Sequence, residues 1–199
     1  MQRMKRVAEV TARLLLGQPN VGQNGSKNGQ ISYAHVARLS GTSRAWLYEY
    51  IGKSRLDLVT LSVRHFAHIL GKFEGRTEVT NFEEWRVSQI EDFSEFLNAI
   101  VELPHLLQIY FRNKNQNSTL GTVIREFEAK FLLLSAAEIH RALQVDLEKA
   151  RGIAEYNLAT KMGLAHHWVG KPDGFSKADK QQVMQYFALG LNQFKTVSS

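Results

Sequence analysis

Residues 31–59 read ISYAHVARLSGTSRAWLYEYIGKSRLDLV, two short helical patterns that meet across a glycine with almost no linker. Ser32 can cap a first helix whose apolar positions are Val36, Ala37 and Leu39, and Gly41 supplies the backbone freedom that a sharp turn requires. Ser43 then caps a second helix, Arg44 to Tyr50, which combines one aliphatic anchor, Leu47, with side chains able to touch bases or phosphates. A helix of that kind suits the major groove of duplex DNA, where residues near its start reach base edges and later ones brace against phosphates. Arg44 can donate two hydrogen bonds to a guanine edge, Ala45 permits close approach, and Trp46 can pack on a thymine methyl. Glu49 is an acid beside phosphates and is expected to point away from the duplex.

Working outward, the charge is segregated. Residues 1–64 hold ten Lys and Arg against three Asp and Glu, whereas residues 65–199 hold 15 against 16, so the net +6 of the chain sits with the two-helix motif. A basic N-terminal module on a near-neutral body is what phosphate attraction requires, because counterion release drives binding to DNA of any sequence.

Composition bounds the remaining choices. With 44% hydrophobic and 22% charged residues and three prolines in 199, the chain is expected to be a helical globule, as one core or as a small domain fused to a larger one. There is no cysteine, which removes disulfides, thiolate metal sites and cysteine nucleophiles. The basic start carries Glu9 and Arg13 within its apolar part and so lacks the uninterrupted core of a signal peptide. Apolar runs are far too short for a membrane span, and a cytoplasmic protein is expected.

Periodicity then divides the chain into helices. Val7, Val10 and Leu14 mark a first amphipathic helix, followed by a Gly/Asn/Gln-rich break over residues 17–30 that includes Lys27. A long helix from about 54 to 72 is expected to leave the DNA-binding module for the body. Asn81 caps a helix reaching about Val101, Pro104 starts a shorter one, and residues 120–145 and 146–169 carry two more. Ser176 with Asp179 resembles a capping box for the last helix. No strand and no internal repeat is expected. Trp85, Phe93, Phe96, Tyr110, Phe127 and Phe131 are candidates to line a pocket between body helices, with His105 and His140 as polar handles. His166 and His167 are adjacent on a helix and point about 100° apart, which argues against a shared metal ion.

At Val36-Ala37, Gly41, Ser43 and Leu47-Tyr48-Glu49-Tyr50-Ile51 the chain resembles the tetracycline-repressor (TetR) family of transcriptional regulators. Thr42 and Ile51 depart from the residues commoner in that pattern, and Lys53 is displaced from the usual place of a lysine. The resemblance implies an all-α chain: a three-helix DNA-binding domain over residues 1–53 with a helix-turn-helix, and a helical effector-binding and dimerisation domain over 54–199. It places Tyr48 and Tyr50 at phosphates or a base-step edge, with Ser32, Tyr33, Ser43 and Lys53 as further contacts. It also implies a dimer made by the last two long helices, through Ala150, Ala154, Leu158, Ala165, Tyr186, Gly190 and Phe194.

The function expected is that of a homodimeric repressor released from a pseudo-palindromic operator by a small-molecule effector, with no cofactor and no metal. The alternative is a DNA-organising or protein-interaction protein of the same fold without an effector. An enzyme is not expected, since the sequence offers no Gly-rich phosphate loop, no metal-ligand spacing and no nucleophile with its base.

Overall fold

The computed structural model describes residues 2–16, 31–70, 78–102, 104–169 and 175–195. Among them the regular elements are all helical: α1 Gln2–Leu16, α2 Tyr33–Ser40, α3 Arg44–Tyr50, α4 Arg55–Leu70, α5 Phe82–Glu102, α6 Pro104–Asn113, α7 Thr119–Leu143, α8 Leu147–Val169 and α9 Lys177–Asn192. The chain is therefore all-α over the described residues. Residues 17–30, with Lys27, lie outside them.

The helix ends follow the local signals. Asn81 Oδ1 accepts from the Glu84 N–H at 3.0 Å at the start of α5, and Asp146 Oδ1 accepts from the Lys149 N–H at 2.7 Å at the start of α8. Ser176 and Asp179 form a complete capping box at α9, satisfying amides that the first turn of a helix leaves without partners.

The chain packs as two compact units, one of Met1–His68 with His105–Phe127 and one of Ile69–Pro104 with Glu128–Ser199. The units do not divide at residue 53. The apolar stripe of α4, Leu58, Val59 and Val63, is buried, and Ser62 Oγ donates to the Ala8 carbonyl at 3.0 Å, which ties α4 to α1. The core of this first unit includes Val7, Ala8 and Ala12 of α1, Val36 of α2, Leu47 of α3 and Leu58 of α4. Packing of that face of α4 keeps it with the N-terminal helices.

In the second unit α5, α8 and α9 pack on one another. Ring contacts Trp85–Phe194 at 6.2 Å and Phe93–Phe187 at 4.4 Å run α9 antiparallel to α5, and Tyr156–Phe194 at 5.5 Å with Trp168–Tyr186 at 6.5 Å run it antiparallel to α8. A polar group is buried among them: Gln89 Oε1 accepts from Asn157 Nδ2 at 2.7 Å and from Lys161 Nζ at 2.8 Å, and the Lys161 ammonium lies 5.5 Å over the Phe187 ring. Phe93 is fully buried, whereas Leu189 on α9 is 66% exposed. Phe93→Ala is expected to lower stability in urea unfolding by about 3–5 kcal/mol, and Leu189→Ala by less than about 0.5 kcal/mol in the isolated chain. Equal losses from the two changes would contradict this packing.

Candidate nucleic-acid interface

Ser32 has extended backbone angles and its Oγ accepts from the His35 N–H at 3.2 Å, which starts α2. The buried residues of this helix are Tyr33, Val36, Ala37 and Ser40, one stripe at helical spacing. Leu39 lies off that stripe and is exposed, so it is not one of the inward anchors expected from the sequence. Gly41 ends the helix at φ 67°, ψ 31°, a left-handed conformation that glycine adopts without a steric penalty. Ser43 follows with extended angles, and its Oγ accepts from the Trp46 N–H at 3.1 Å to start α3.

α3 has seven residues, of which Leu47 alone is buried. Beyond it the chain turns at Gly52, φ 136°, where a Cβ would come 2.2 Å from Asp57 Oδ2. That close approach lets Asp57 Oδ2 accept from the Ser54 N–H at 2.7 Å while Ser54 Oγ accepts from the Asp57 N–H at 3.2 Å, a reciprocal pair at the start of α4. Hydrogen bonds from the Ser54 backbone and hydroxyl, followed by the Lys53 backbone, hold the Asp57 carboxyl below its ordinary pKa.

Tyr33 joins the two ends of this segment. It is buried, and its hydroxyl donates to the Ser54 carbonyl at 2.9 Å, linking the start of α2 to the start of α4. Burial first, then the Asp57 carboxylate and Tyr48, push its pKa from the usual 10.0 up to about 12. The expectation that Tyr33 is a surface contact to DNA is corrected: the residue begins the buried stripe of α2, and its one donor is used internally.

The other residues proposed for contact with DNA lie at the surface. Ser32, Ser43, Arg44, Ala45 and Lys53 are exposed, Tyr48 and Tyr50 are 43% and 55% exposed, and Trp46 is half-buried. Trp46 stacks on Tyr50 with ring centroids 5.1 Å apart, and Tyr48 stacks on Tyr33 at 4.6 Å. Leu47 faces the core. Ala45 and Glu49, each two positions away, stand about 200° around the helix from it and share the outward side. Glu49 is thus central on the exposed face of α3. Arg6 of α1 is exposed and has its guanidinium 3.9 Å from where a Cβ on Gly41 would stand, so it joins the α2–α3 turn. No local motif connects residue 6 with residue 41, and the sequence reading missed it.

The residues expected to line an effector pocket divide between the units. Trp85, Phe93 and Phe96 are fully buried in the second unit and pack ring to ring with Phe82, Phe187 and Phe194 as core. Phe131 and Phe127 are half-buried, and His140 is exposed with Nδ1 against the Val145 carbonyl. The His105 side chain lies outside the described residues. Tyr110 lines a small apolar cleft in the first unit with Ser62, Val63, Leu106, Ile109 and Ile124, of about 10 Å³, room for about one water. Its hydroxyl accepts from Lys114 Nζ at 3.0 Å.

The expected dimer residues divide as well. Ala150, Ala154, Leu158 and Ala165 are buried within the single chain, on the face of α8 that also carries Asn157 and Lys161. They fill the core of the second unit, which corrects their assignment to an interface between copies. Tyr186 is exposed, while Gly190 and Phe194 are half-buried, the latter against Trp85 and Tyr156. Among the described residues no group of three or more His, Cys, Asp or Glu is placed to hold a metal ion, and no helix is long and apolar enough to cross a membrane.

The Tyr33 contact has a measurable signature. A phenol whose pKa is raised on folding contributes stability that is complete below pH 10 and is lost as the pH rises toward 12. Tyr33→Phe is expected to cost about 1 kcal/mol at neutral pH and to flatten the alkaline loss between pH 10 and 12 in thermal unfolding. A variant with the parent's stability and alkaline profile would show that the hydroxyl does not clamp Ser54. No protein-family model matches the chain, and no curated protein matches it.

Proposed function

We propose that the chain is a sequence-specific DNA-binding transcriptional regulator of the tetracycline-repressor type, with α2, Gly41 and α3 as a helix-turn-helix and α3 as the helix that enters the major groove. The observation that carries this reading is the outward face of α3. A helix anchored by one buried leucine offers Arg44, Ala45, Tyr48 and Tyr50 to solvent within the part of the chain that holds its whole positive excess. Arg6, Lys53 and the capped amide ends of α2 and α3 bring positive potential to the same segment, which suits a phosphate backbone.

The regulator works as a homodimer. Tyr156 of α8 with Tyr186 and Leu189 of α9 are exposed, and open space lies over Gly152 and Gly163 of α8, features that favour close approach of a second copy's helices. Two reading helices related by a twofold axis select a pseudo-palindromic site with half-sites about one DNA turn apart, roughly 34–36 Å. An effector that prefers the splayed arrangement lowers operator affinity by shifting the population. A second reading, in which the body docks a protein and takes no small molecule, is favoured by the burial of Trp85, Phe93 and Phe96 in the core of the second unit.

Selection of bound duplexes from a random pool by the purified chain tests the proposal, with an enriched pseudo-palindrome as the expected outcome and no enrichment as the contrary one. On the selected site, Arg44→Ala is expected to cost about 1–3 kcal/mol and to relax the preference at one position of each half-site. Lys53→Ala is expected to weaken binding uniformly across sequences and to reduce the salt slope by about 1. If Arg44→Ala left both affinity and preference unchanged, α3 would not be the reading helix.

A further inference from the structure

We infer that Glu49 reads the exocyclic amino group of a cytosine in the major groove and so fixes the base at one position of each half-site. The inference rests on α3 being the reading helix and reverses the expectation that this acid points away from the duplex.

Residues 1–64 contain three acids, and two of them have internal work. Glu9 is paired with Arg13 on α1, and Asp57 receives the Ser54 amide at the start of α4. Among the described residues the Glu49 carboxylate makes neither a hydrogen bond nor an ion pair. Lys53, four residues on, lies past the turn at Gly52 rather than on the helix, outside the i, i+4 geometry that pairs charges along a helix. A carboxylate held on the groove-facing side without a partner repels phosphates and weakens binding to every sequence. That cost is offset where the acid meets a hydrogen-bond donor, and the donors on base edges in the major groove are the amino groups of cytosine and adenine.

The neighbours of Glu49 limit which donor it meets. Ala45, one turn earlier on the same side, is short enough to let the helix approach closely, while Trp46 and Tyr48 on the flanks are held by their stacks on Tyr50 and Tyr33. Adenine carries the N7 acceptor beside its amino group, and a carboxylate is repelled by it. Cytosine carries no such acceptor on its own major-groove edge, so the acid selects cytosine. Glutamine, by contrast, matches the donor and acceptor of adenine together.

The test is duplex selection with the wild-type chain, Glu49→Gln and Glu49→Ala, followed by affinity measurements in which the specified cytosine is replaced by 2-pyrimidinone, which lacks the amino group. The wild type is expected to require cytosine at one position of each half-site, Glu49→Gln to prefer adenine there, and Glu49→Ala to accept any base. Removing the amino group is expected to weaken wild-type binding about tenfold and to leave Glu49→Ala unaffected. Because Glu49 is exposed, the variants are expected to keep the parent's melting temperature, and loss of the charge is expected to strengthen binding to unrelated DNA by a few-fold. If all three proteins select the same site and the variants merely bind every sequence more tightly, the inference fails while the DNA-binding reading stands. If the wild type selects no site, both fail.

Discussion

Seven residues are too few to hold a helix in water, because the cost of the first turn is spread over too few hydrogen bonds. α3 therefore depends on what fixes its ends and its one inward side chain. Ser43 Oγ supplies the Trp46 amide in the first turn with an acceptor, Leu47 enters the core, and Gly52 allows the chain to turn back closely enough for Asp57 to meet Ser54. Tyr33 ties that turn to the start of α2. The part of the outward face around Ala45 and Glu49 is free of structural duty because these contacts, and the stacks of Tyr48 on Tyr33 and Trp46 on Tyr50, lie at the ends, on the flanks and on the inner side of α3.

The second unit is ordered by a different constraint. α5, α8 and α9 are long enough to bury continuous apolar stripes, and such stripes alone permit sliding by a turn. The shared acceptor Gln89 Oε1, with Asn157 and Lys161 as its donors, sets α5 against α8 at one level. Displacing either helix by a turn would strip a buried lysine and a buried amide of that acceptor, a cost of several kcal/mol. Phe93 against Phe187 sets α9 at the same level of the bundle.

Much of the fold was legible in the sequence because helix ends are written locally. Ser32, Ser43, Asn81 and Ser176 each cap the helix they were expected to cap, and Gly41 closes α2 in the left-handed conformation that a glycine there implies. What the sequence did not disclose is which partner covers an apolar stripe. Ala150, Ala154, Leu158 and Ala165 have the same spacing whether they meet another copy or the rest of their own chain, and here they are buried within it. The same ambiguity made core aromatics such as Trp85 and Phe93 resemble a pocket lining. Tyr33 was misplaced for a nearer reason: its spacing with Val36, Ala37 and Ser40 announces an inward position, but its place beside the cap drew it into the contact set. Arg6 reaches the α2–α3 turn through tertiary packing that no linear pattern carries.

A free outward face on a short, firmly held helix, set in the basic part of a chain whose remainder is near neutral, is the physical basis of the functional account. Its central claim is that this face meets duplex DNA. The most direct measurement is a titration of the isotope-labelled full chain with duplex DNA at low salt, following backbone amide resonances. The account predicts that the largest shifts fall on residues 43–50, with smaller ones near Arg6, Ser32 and Lys53, and that they shrink as salt is raised. Shifts confined to the second unit, or no shifts under conditions where the DNA is bound, would contradict it.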